Sequence, residues 1–459
     1  MSDQTSEAVD TGDEAAEVVA DADVQAAETG SDAASAAERP ASEPTVSAAS
    51  ESPAAESPAA VDVPEPVSLP SRRQSLATRS GVCDMRVGTG ATAELGQALR
   101  GVVGKPRRAL LAHGSDVDVV VEETRRSLVD AEFEVFPVEL GGGRDSRSLE
   151  TATRVFSELK DAGITGDDAI VAVGDADLVS TLVFVASTWC AGTALAAVPT
   201  TLDGMVDVTV TPRALDACGA REMLEAKGVV RLAVCDPANL SKDASCPGTL
   251  MGRAVMVAGA VAAGETTFSE LAVRADGIVR GDDETLVDEV LDITKSRCRV
   301  GSSTALAVRQ GLLLGRGFAR AIGCCLESAG DGAGDASAKP GEGRLLAEGL
   351  RIAARLAVAH LGERGEELLG LVFAQDALLE RLGLAEVPCG LDARDVLDAL
   401  RAEELSHSNR FMPALPLDYG RVRLTSVPDE LLLEHLGAWC RARRKLKRRL
   451  ERQAAKAGA

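Results

Sequence analysis

Hydrophobic and polar positions along the chain follow two different rhythms, and the change falls near residue 250. Before it, short apolar runs such as residues 169–173 and 194–198 alternate with segments whose apolar residues recur every three to four positions. This alternation is typical of a mostly parallel sheet covered by helices on both faces. Further strands are predicted at residues 108–112, 132–138 and 228–234, and helices at residues 117–128 and 148–159.

After residue 250, helical periodicity dominates and strand signals are almost absent until residues 420–424. The pattern predicts an all-helical second domain. Its helices are predicted at residues 251–261, 269–273, 285–293, 305–326, 344–361, 366–382, 393–403 and 431–456. A glycine-rich stretch, residues 329–343, interrupts them and is predicted to be a long flexible loop.

The first seventy residues differ from the rest in composition. They contain sixteen acidic residues against one basic residue, Arg39, and seven of the eighteen prolines. Such a segment buries too little apolar surface to offset its ordering entropy, so we expect disorder. The domain prediction is a tail and linker at 1–80, an α/β domain at 81–245, a helical domain at 246–430 and a basic C-terminal helix at 431–459.

Cysteine and histidine usage narrows the possible chemistry. Ten cysteines are scattered without a C-x-x-C motif, which is typical of buried thiols in a reducing compartment. Four histidines form no ligand-like cluster, which argues against a His-rich metal site. Without a signal pattern or a run of eighteen apolar residues, we expect a cytoplasmic protein with no membrane span.

The C-terminal helix carries nine Lys or Arg between residues 441 and 456 against one Glu. Such a segment could attract nucleic acid, an anionic membrane or the acidic tail of the same chain. A solvated helix end with cations near the negative end of its dipole is the simpler interpretation. Because aromatic side chains for base stacking are missing, we expect no nucleic-acid partner.

The most informative stretch is residues 169–213, which reads as strand, turn, helix and strand. In dinucleotide-binding domains a pyrophosphate lies at the helix N-terminus after such a turn. Here Asp175 and Asp177 occupy that turn, and carboxylates repel a phosphate. The predicted architecture and the chemistry of the turn therefore disagree.

Three segments in this order carry a family resemblance. They are Val198-Pro199-Thr200-Thr201-Leu202 followed by Asp207, Phe184-Val185-Ala186-Ser187-Thr188, and residues 312–322 (LLLGRGFARAI). Together they resemble 3-dehydroquinate synthase, within the sugar-phosphate cyclase and glycerol-dehydrogenase-like superfamily. The resemblance runs from about Arg107 to the C-terminus. It implies a Rossmann-like domain followed by a helical domain, a homodimer, and an NAD-dependent lyase of the shikimate pathway of aromatic amino acid biosynthesis.

In that family, NAD transiently oxidises a phosphorylated sugar acid, phosphate is eliminated, and a zinc ion polarises the oxidised carbon. The family's zinc ligands fall here on Val255, Arg316 and, in an uncertain register, Glu342. Valine has no donor atom, and an arginine side chain has no free lone pair at neutral pH. The resemblance therefore predicts no zinc site, while NAD stays the implied cofactor.

Other family positions are partly substituted, and each is assigned by the resemblance alone. The cofactor positions are Gly143, Arg144, Arg147, Gly174, Asp175, Asp177, Thr200, Thr201 and Asp207. The degenerate catalytic positions are Ser180, Arg213 and Arg221, and the substrate or anion positions are Arg316 and Arg320. Convergence of the arginines on one cleft would hold a phosphate or carboxylate bidentately. The alternative is that they are exposed or paired with local Asp and Glu.

Three lone candidates have simpler explanations. His113 follows a strand and is interpreted as a satisfied polar residue, Cys324 and Cys325 as core thiols, and His407 as part of a surface loop.

Two functions follow. One is a 3-dehydroquinate synthase or related cyclase that tolerates unusual residues, acting on a phosphorylated sugar acid. The other is a non-catalytic homologue that senses an anionic metabolite or scaffolds a partner. Each lost transition-state contact costs roughly 10²–10³ in rate, which favours the second.

Overall fold

A seven-stranded sheet forms the centre of the N-terminal half in the computed structural model, which describes residues 71–104, 107–329 and 340–457. The strands are β1 (Arg72–Thr78), β2 (Gly81–Val87), β3 (Arg108–His113), β4 (Glu134–Glu139), β5 (Ala169–Gly174), β6 (Ala194–Pro199) and, further along the chain, β9 (Leu232–Cys235). Their order is β1-β2-β9-β6-β5-β3-β4. All pairs are parallel except β1 with β2. A separate two-stranded hairpin joins β7 (Leu215–Ala217) to β8 (Ala220–Leu224).

Strands β5 and β6 lie in the middle of the sheet, and every residue of β5 is buried. They pair in register from Ala169 with Ala194 to Gly174 with Pro199. Parallel pairing brings their carboxyl ends, and the loops that follow them, to the same edge of the sheet.

Helices cover both faces of the sheet, as the sequence predicted. They are α1 (Leu95–Val103), α2 (Asp118–Asp130), α3 (Leu149–Asp161) and α4 (Ala176–Thr188). On one face Leu95, Leu99 and Leu128 form a core with the strands. On the other, Leu159 and Leu182 belong to a larger core that continues into the helical region.

The helical C-terminal region confirms the second half of the fold prediction. Its helices are α5 (Pro247–Ala263), α6 (Glu265–Arg280), α7 (Asp283–Ser302), α8 (Leu306–Arg309), α9 (Arg316–Ser328), α10 (Glu342–Leu361), α11 (Leu369–Arg381), α12 (Ala393–His407) and α13 (Asp429–Ala457). A hairpin of β10 (Ala414–Asp418) and β11 (Arg421–Leu424) precedes α13. Among the described residues, no helix is both long and apolar enough to cross a bilayer.

The N-terminal boundary of the fold differs from the sequence prediction. The predicted tail, residues 1–70, lies outside the described residues, as do residues 330–339 of the predicted loop. The predicted linker at 71–80 is wrong, because residues 72–78 form β1. This edge strand buries only Leu76 completely, so its apolar alternation is too weak to recognise in the sequence. The helix α1 was likewise not predicted.

The helix predicted over residues 305–326 is also wrong, because the chain breaks between α8 and α9. Gly315 adopts a left-handed φ of 76° at the break. A side chain there would meet Leu350 of α10, whose backbone nitrogen lies 3.0 Å from the Cβ position. The glycine therefore permits both the turn and the close approach of α10.

The basic C-terminal helix is anchored to the body through one buried carboxylate. Glu348 of α10 is fully buried and accepts hydrogen bonds from Trp439 Nε1 (2.7 Å) and Arg443 Nη2 (2.7 Å) of α13. It also accepts one from the Val387 backbone nitrogen (2.8 Å). A buried ion pair is sensitive to the loss of either partner, because the remaining charge is left uncompensated.

We expect Glu348→Gln to lower the free energy of unfolding by on the order of 3–5 kcal/mol, since it leaves Arg443 buried without its inner counter-ion. Glu386→Gln is the matched control, because Glu386 contacts the same Arg443 at 2.7 Å but is half exposed. It should change stability by about 0–1 kcal/mol in urea unfolding. Equal effects of the two variants would contradict this assignment.

A second buried carboxyl, Glu289 of α7, makes stability depend on pH. Burial raises its pKa to about 7, against the opposing effect of Arg274, whose Nη1 lies 3.1 Å away. A carboxyl with a raised pKa in the folded state stabilises below its unfolded pKa, and this contribution is lost as pH rises toward the folded value. Glu289→Gln should therefore gain thermal stability relative to wild type between pH 5 and pH 8, with the two converging at low pH.

Thermal unfolding across that pH range measures the difference. Asp292→Asn removes the more exposed partner of the same Arg274 and should not reproduce the pH-dependent gain. A difference between Glu289→Gln and wild type that does not grow with pH would refute the prediction.

Candidate arginine-lined site

An open cavity of about 800 Å³ lies beside the carboxyl edge of the sheet, where the loop after β4 and the hairpin β7–β8 meet helices α9 and α10. Six arginines from these elements line it. They are Arg144, Arg147, Arg213, Arg221, Arg316 and Arg320. The structure thus brings together the whole set for which the sequence left convergence open, and their roles remain predictions.

Each of these arginines also contacts a carboxylate. The arginines therefore both converge on one cavity and pair with Asp or Glu, which the sequence analysis treated as alternatives. The pairs are Arg144–Asp216 (3.2 Å), Arg147–Asp177 (3.3 Å), Arg213–Asp203 (2.9 Å), Arg221–Glu327 (3.1 Å), Arg316–Asp207 (2.9 Å) and Arg320–Glu403 (2.9 Å). Pairing fixes the guanidinium planes in position, which is the preorganisation that recognition of a planar or tetrahedral anion needs.

Asp207 lies behind two of the arginines that line the cavity, Arg213 and Arg316. It is completely buried in the short π-helical turn after β6. Its carboxylate accepts hydrogen bonds from Arg297 of α7, from Arg316 at 2.9 Å and from Thr211 Oγ1 at 2.7 Å. Arg213 lies 3.5 Å away. Burial would raise the pKa of Asp207, but the three arginines hold it well below its usual range. Asp207 is therefore an ionised counter-ion.

Asp203 and Asp177 share Arg213 with Asp207. Arg213 Nη2 donates to Asp203 Oδ2 at 2.9 Å, and its Nη1 donates to Asp177 Oδ1 at 3.3 Å. Burial raises the pKa of Asp203 to about 6, in opposition to the nearby guanidinium. Asp177, which the sequence interpretation treated as repelling a phosphate, is neutralised by Arg147 and Arg213.

Asp175 occupies the N-terminus of α4, where a dinucleotide-binding domain holds pyrophosphate. Its Oδ1 accepts a hydrogen bond from the Leu178 backbone nitrogen (2.9 Å), and its Oδ2 accepts one from the Gly143 backbone nitrogen. A Cβ on Gly142 would lie 3.0 Å from the same carboxylate. The Asp175 carboxylate therefore occupies the N-terminus of α4 and connects the loop after β4 to it by a hydrogen bond.

The other residues assigned by resemblance lie in different settings. Ser180 is buried within α4, where its hydroxyl donates to the Ala176 carbonyl (2.8 Å) and accepts from the Arg213 backbone nitrogen (3.2 Å). Both contacts are within the fold, and the catalytic assignment of Ser180 stays a prediction. Thr200 and Thr201 follow β6. The Thr200 backbone nitrogen donates a hydrogen bond to the Gly174 carbonyl at 2.8 Å. Asp207 is completely buried, and its assignment as a cofactor contact stays a prediction.

The family's metal positions do not fit a zinc ion. Val255 is buried in α5, and Arg316 begins α9 with its guanidinium on Asp207. Glu342 begins α10 and lines the cavity among the arginines. Across residues 71–104, 107–329 and 340–457, no three His, Cys, Asp or Glu side chains converge as metal ligands would. Zinc ligation through this set would need a donor atom that Val255 lacks and a lone pair that Arg316 lacks.

The lone candidates lie outside the arginine-lined cavity. His113 Nδ1 is 2.9 Å from the Gly114 carbonyl oxygen, a local contact. Cys325 is half-buried on α9, and burial raises its pKa to about 11, so its thiol stays protonated. His407 ends α12, and its Nε2 lies 3.0 Å from the Arg221 carbonyl oxygen.

A second cavity, of about 1450 Å³, adjoins the first between α9, α12 and the loop that follows α12. Glu222, Arg316 and Arg320 line both cavities. The three residues therefore form the wall between them.

Sequence reasoning missed Arg297 and most of the acidic partners, namely Asp203, Asp216, Glu222, Glu327 and Glu403. Arg297 and Arg316 lie 90 and 109 residues from Asp207, and Arg320 lies 98 residues from Glu222. Pairs so far apart leave no periodicity that a single sequence could reveal. The sequence offered only the general alternative that the arginines are exposed or paired with Asp and Glu.

The chain is similar in sequence to 3-dehydroquinate synthases. A family profile described as 3-dehydroquinate synthase N-terminal matches residues 137–241. The 3-dehydroquinate synthase of Symbiobacterium thermophilum is 29% identical over 350 residues, which cover 75% of this chain and 93% of that protein. The enzyme of the same name from Thermoanaerobacter sp. is 25% identical over 324 residues, covering 69% and 84% of the two chains.

Solved structures share the fold at low identity. A 2-deoxy-scyllo-inosose synthase complexed with carbaglucose-6-phosphate, NAD+ and Co2+ aligns with a TM-score of 0.68 and 16% identity, over 80% of this chain and 99% of the other. The 2-epi-5-epi-valiolone synthase of Streptomyces hygroscopicus, with NAD+ and Zn2+ bound, aligns with a TM-score of 0.64 and 16% identity, over 78% and 97%. The matched profile and the curated relatives show that the chain is similar to 3-dehydroquinate synthases, in agreement with the motifs in the sequence, and the solved structures show that it shares the fold of sugar-phosphate cyclases.

Proposed function

We propose that this protein binds a small anionic metabolite, such as a phosphorylated sugar acid, in the arginine-lined cavity and does not carry out the zinc-dependent cyclisation of its relatives. The observation that carries the proposal is the contact between Arg316 and Asp207. A guanidinium has no free lone pair with which to hold a Lewis-acidic metal ion, and the resemblance assigns this position to a metal ligand.

The cavity supplies what anion recognition needs. Arg144 is one-third exposed and Arg320 one-quarter exposed, so their guanidinium groups can reach a ligand while remaining fixed by Asp216 and Glu403. Charge-assisted, bidentate hydrogen bonds from arginine are the strongest recognition that side chains offer to phosphate or carboxylate. The sensor function named among the sequence hypotheses therefore needs no chemistry beyond these contacts.

NAD binding fits the cavity less well than anion binding. Relatives hold NAD+ in their structures. In this chain the carboxylate of Asp175 takes the α4 N-terminus and contacts Gly143. A pyrophosphate would have to displace a negative charge that already satisfies these backbone donors. We therefore propose that any NAD binding is weak.

A catalytic cyclase is the second candidate, because the Symbiobacterium enzyme aligns over 93% of its length. An alignment of 350 residues is too long to lie within the α/β part or the helical part alone. This alternative keeps NAD as cofactor and a phosphorylated sugar acid as substrate. A homodimer and a cytoplasmic location remain predictions under both alternatives.

Metal content separates the two candidates. The purified protein is expected to contain far less than one zinc ion per chain by elemental analysis, because two family ligand positions lack donor atoms. A 3-dehydroquinate synthase with all three family ligands, purified in parallel, is the positive control. We also expect no growth of a synthase-deficient strain without aromatic supplements. Stoichiometric zinc, or rescue at normal expression, would favour the catalytic candidate and overturn the proposal.

Anion binding is tested directly by titration with inorganic phosphate and, separately, with NAD. Phosphate should raise the thermal unfolding midpoint, whereas NAD at equal concentration should raise it much less. Arg144→Gln should weaken phosphate binding by about tenfold, equivalent to the loss of roughly 1.4 kcal/mol of charge-assisted contact.

Arg355→Gln provides the matched control for that titration. Arg355 is similarly exposed and salt-bridged to an aspartate, Asp376, but it does not line the arginine-lined cavity. Its phosphate affinity should equal that of wild type. Equal losses in the two variants would show that phosphate binds to surface arginines in general.

A further inference from the structure

Glu222 holds an unusual place in the wall between the two cavities. It follows Arg221 in β8, and its carboxylate contacts Arg147 at 3.3 Å and accepts a hydrogen bond from Arg320 Nη2. Two guanidinium groups from opposite sides of the site, one near α3 and one on α9, therefore meet on one carboxylate. This is the arrangement in which paired arginines hold a ligand's carboxylate or phosphate.

The charge of Glu222 is maintained by its surroundings. Burial would raise its pKa, but Arg320, Arg316, Arg147 and Arg213 together lower it. The side chain is only 19% exposed, so the carboxylate is an ionised group held mainly by arginines rather than by water. An incoming anion competes with it for the same donors.

The hairpin that carries Glu222 is a small element outside the main sheet. Its strands β7 and β8 pair with each other, and a single bridge joins Asp216 to Ser148. The turn of the hairpin places Cys218 and Gly219 at φ values of 54° and 77°. Glu222 itself has a φ of 51°, a left-handed conformation that non-glycine residues seldom adopt. Its backbone nitrogen donates to Asp216 Oδ1 at 2.9 Å, which helps hold this conformation.

The two ends of the hairpin are better anchored than its middle. Leu215 is fully buried in the core, and Leu224 packs against the same core from the other end. Between them, residues 216–220 are half-buried or exposed. The turn is therefore less buried than either end of the hairpin, and Asp216 is its contact with the loop before α3.

We propose that the Glu222 carboxylate is an internal competitor, which occupies the position between Arg147 and Arg320 that the anionic group of the ligand takes. The inference rests on the proposed anion-binding function and adds how access to the site is controlled. When a ligand displaces Glu222, the wall between the cavities opens and they join into one cleft. The residue thus sets both the affinity for anions and the size of ligand that the site accepts.

Removal of the Glu222 charge leaves both arginines with other partners. Arg147 retains Asp177 at 3.3 Å and Asp216 at 3.5 Å, and Arg320 retains Glu403 at 2.9 Å. Glu222→Gln keeps the size and shape of the side chain and is therefore a suitable variant for a binding experiment. Its unfolding midpoint without ligand establishes that it is folded.

Calorimetric titration with inorganic phosphate and with pyrophosphate tests the proposal. Glu222→Gln should bind phosphate at least about tenfold more tightly than wild type, and pyrophosphate, the larger anion, should gain more. Glu327→Gln is the matched control. Glu327 lines the same cavity and pairs with Arg221 at 3.1 Å, but it is more than half exposed and does not separate the cavities. Its affinity for phosphate should change by less than about twofold.

The outcomes distinguish this inference from the function on which it rests. Equal gains in Glu222→Gln and Glu327→Gln would reduce the effect to general charge and overturn the inference, as would phosphate binding unchanged by Glu222→Gln. Binding by neither wild type nor variant would overturn the proposed function as well. Phosphate binding by Glu222→Gln but not by wild type would support the inference, because Glu222 would then exclude phosphate completely.

Hydrogen exchange gives an independent readout of the displacement. Phosphate should speed exchange of backbone amides in residues 216–222 of the wild type, because displaced Glu222 no longer holds the hairpin. In Glu222→Gln the exchange should already be fast without phosphate. Protection of the wild-type hairpin by phosphate would contradict the displacement.

Discussion

The burial of the Asp207 carboxylate is the constraint on which the rest of the site depends. A carboxylate without any exposure is tolerated only when cations compensate it, since an unpaired buried charge destabilises by several kcal/mol. Arg297, Arg316 and Arg213 supply that compensation from α7, from α9 and from the segment before the hairpin β7–β8. One ion therefore fixes the relative positions of elements far apart in the sequence, and the arginines of the cavity are oriented as a result.

The fold was accessible from the sequence wherever apolar positions had a strong local period. Strands β5 and β6 were found because every residue of β5 and all but the first of β6 are buried, and their apolar runs are continuous. Strand β1 was missed because it lies at an edge and buries little, and the hairpin β7–β8 because its strands have three and five residues. The break at Gly315 was missed because it depends on the approach of α10, which no local pattern encodes.

The site was accessible only in part, for a related reason. The resemblance singled out the arginines, because it assigns each of them to a functional position of the family. It could not locate Glu222 or Arg297, whose importance comes from partners 98 and 90 residues away. It also could not reveal that Asp177 is neutralised, since the sequence places it in a turn but not beside Arg147 and Arg213. Electrostatic compensation is a property of the assembled fold.

The carboxylate of Asp175 opposes stability to access at the N-terminus of α4. A glycine at this position would free the α4 N-terminus for a phosphate, but it would also remove the helix cap and the hydrogen bond to Gly143. The same carboxylate that stabilises the empty fold therefore occupies the backbone donors that an anion would need, so a gain in one property is a loss in the other.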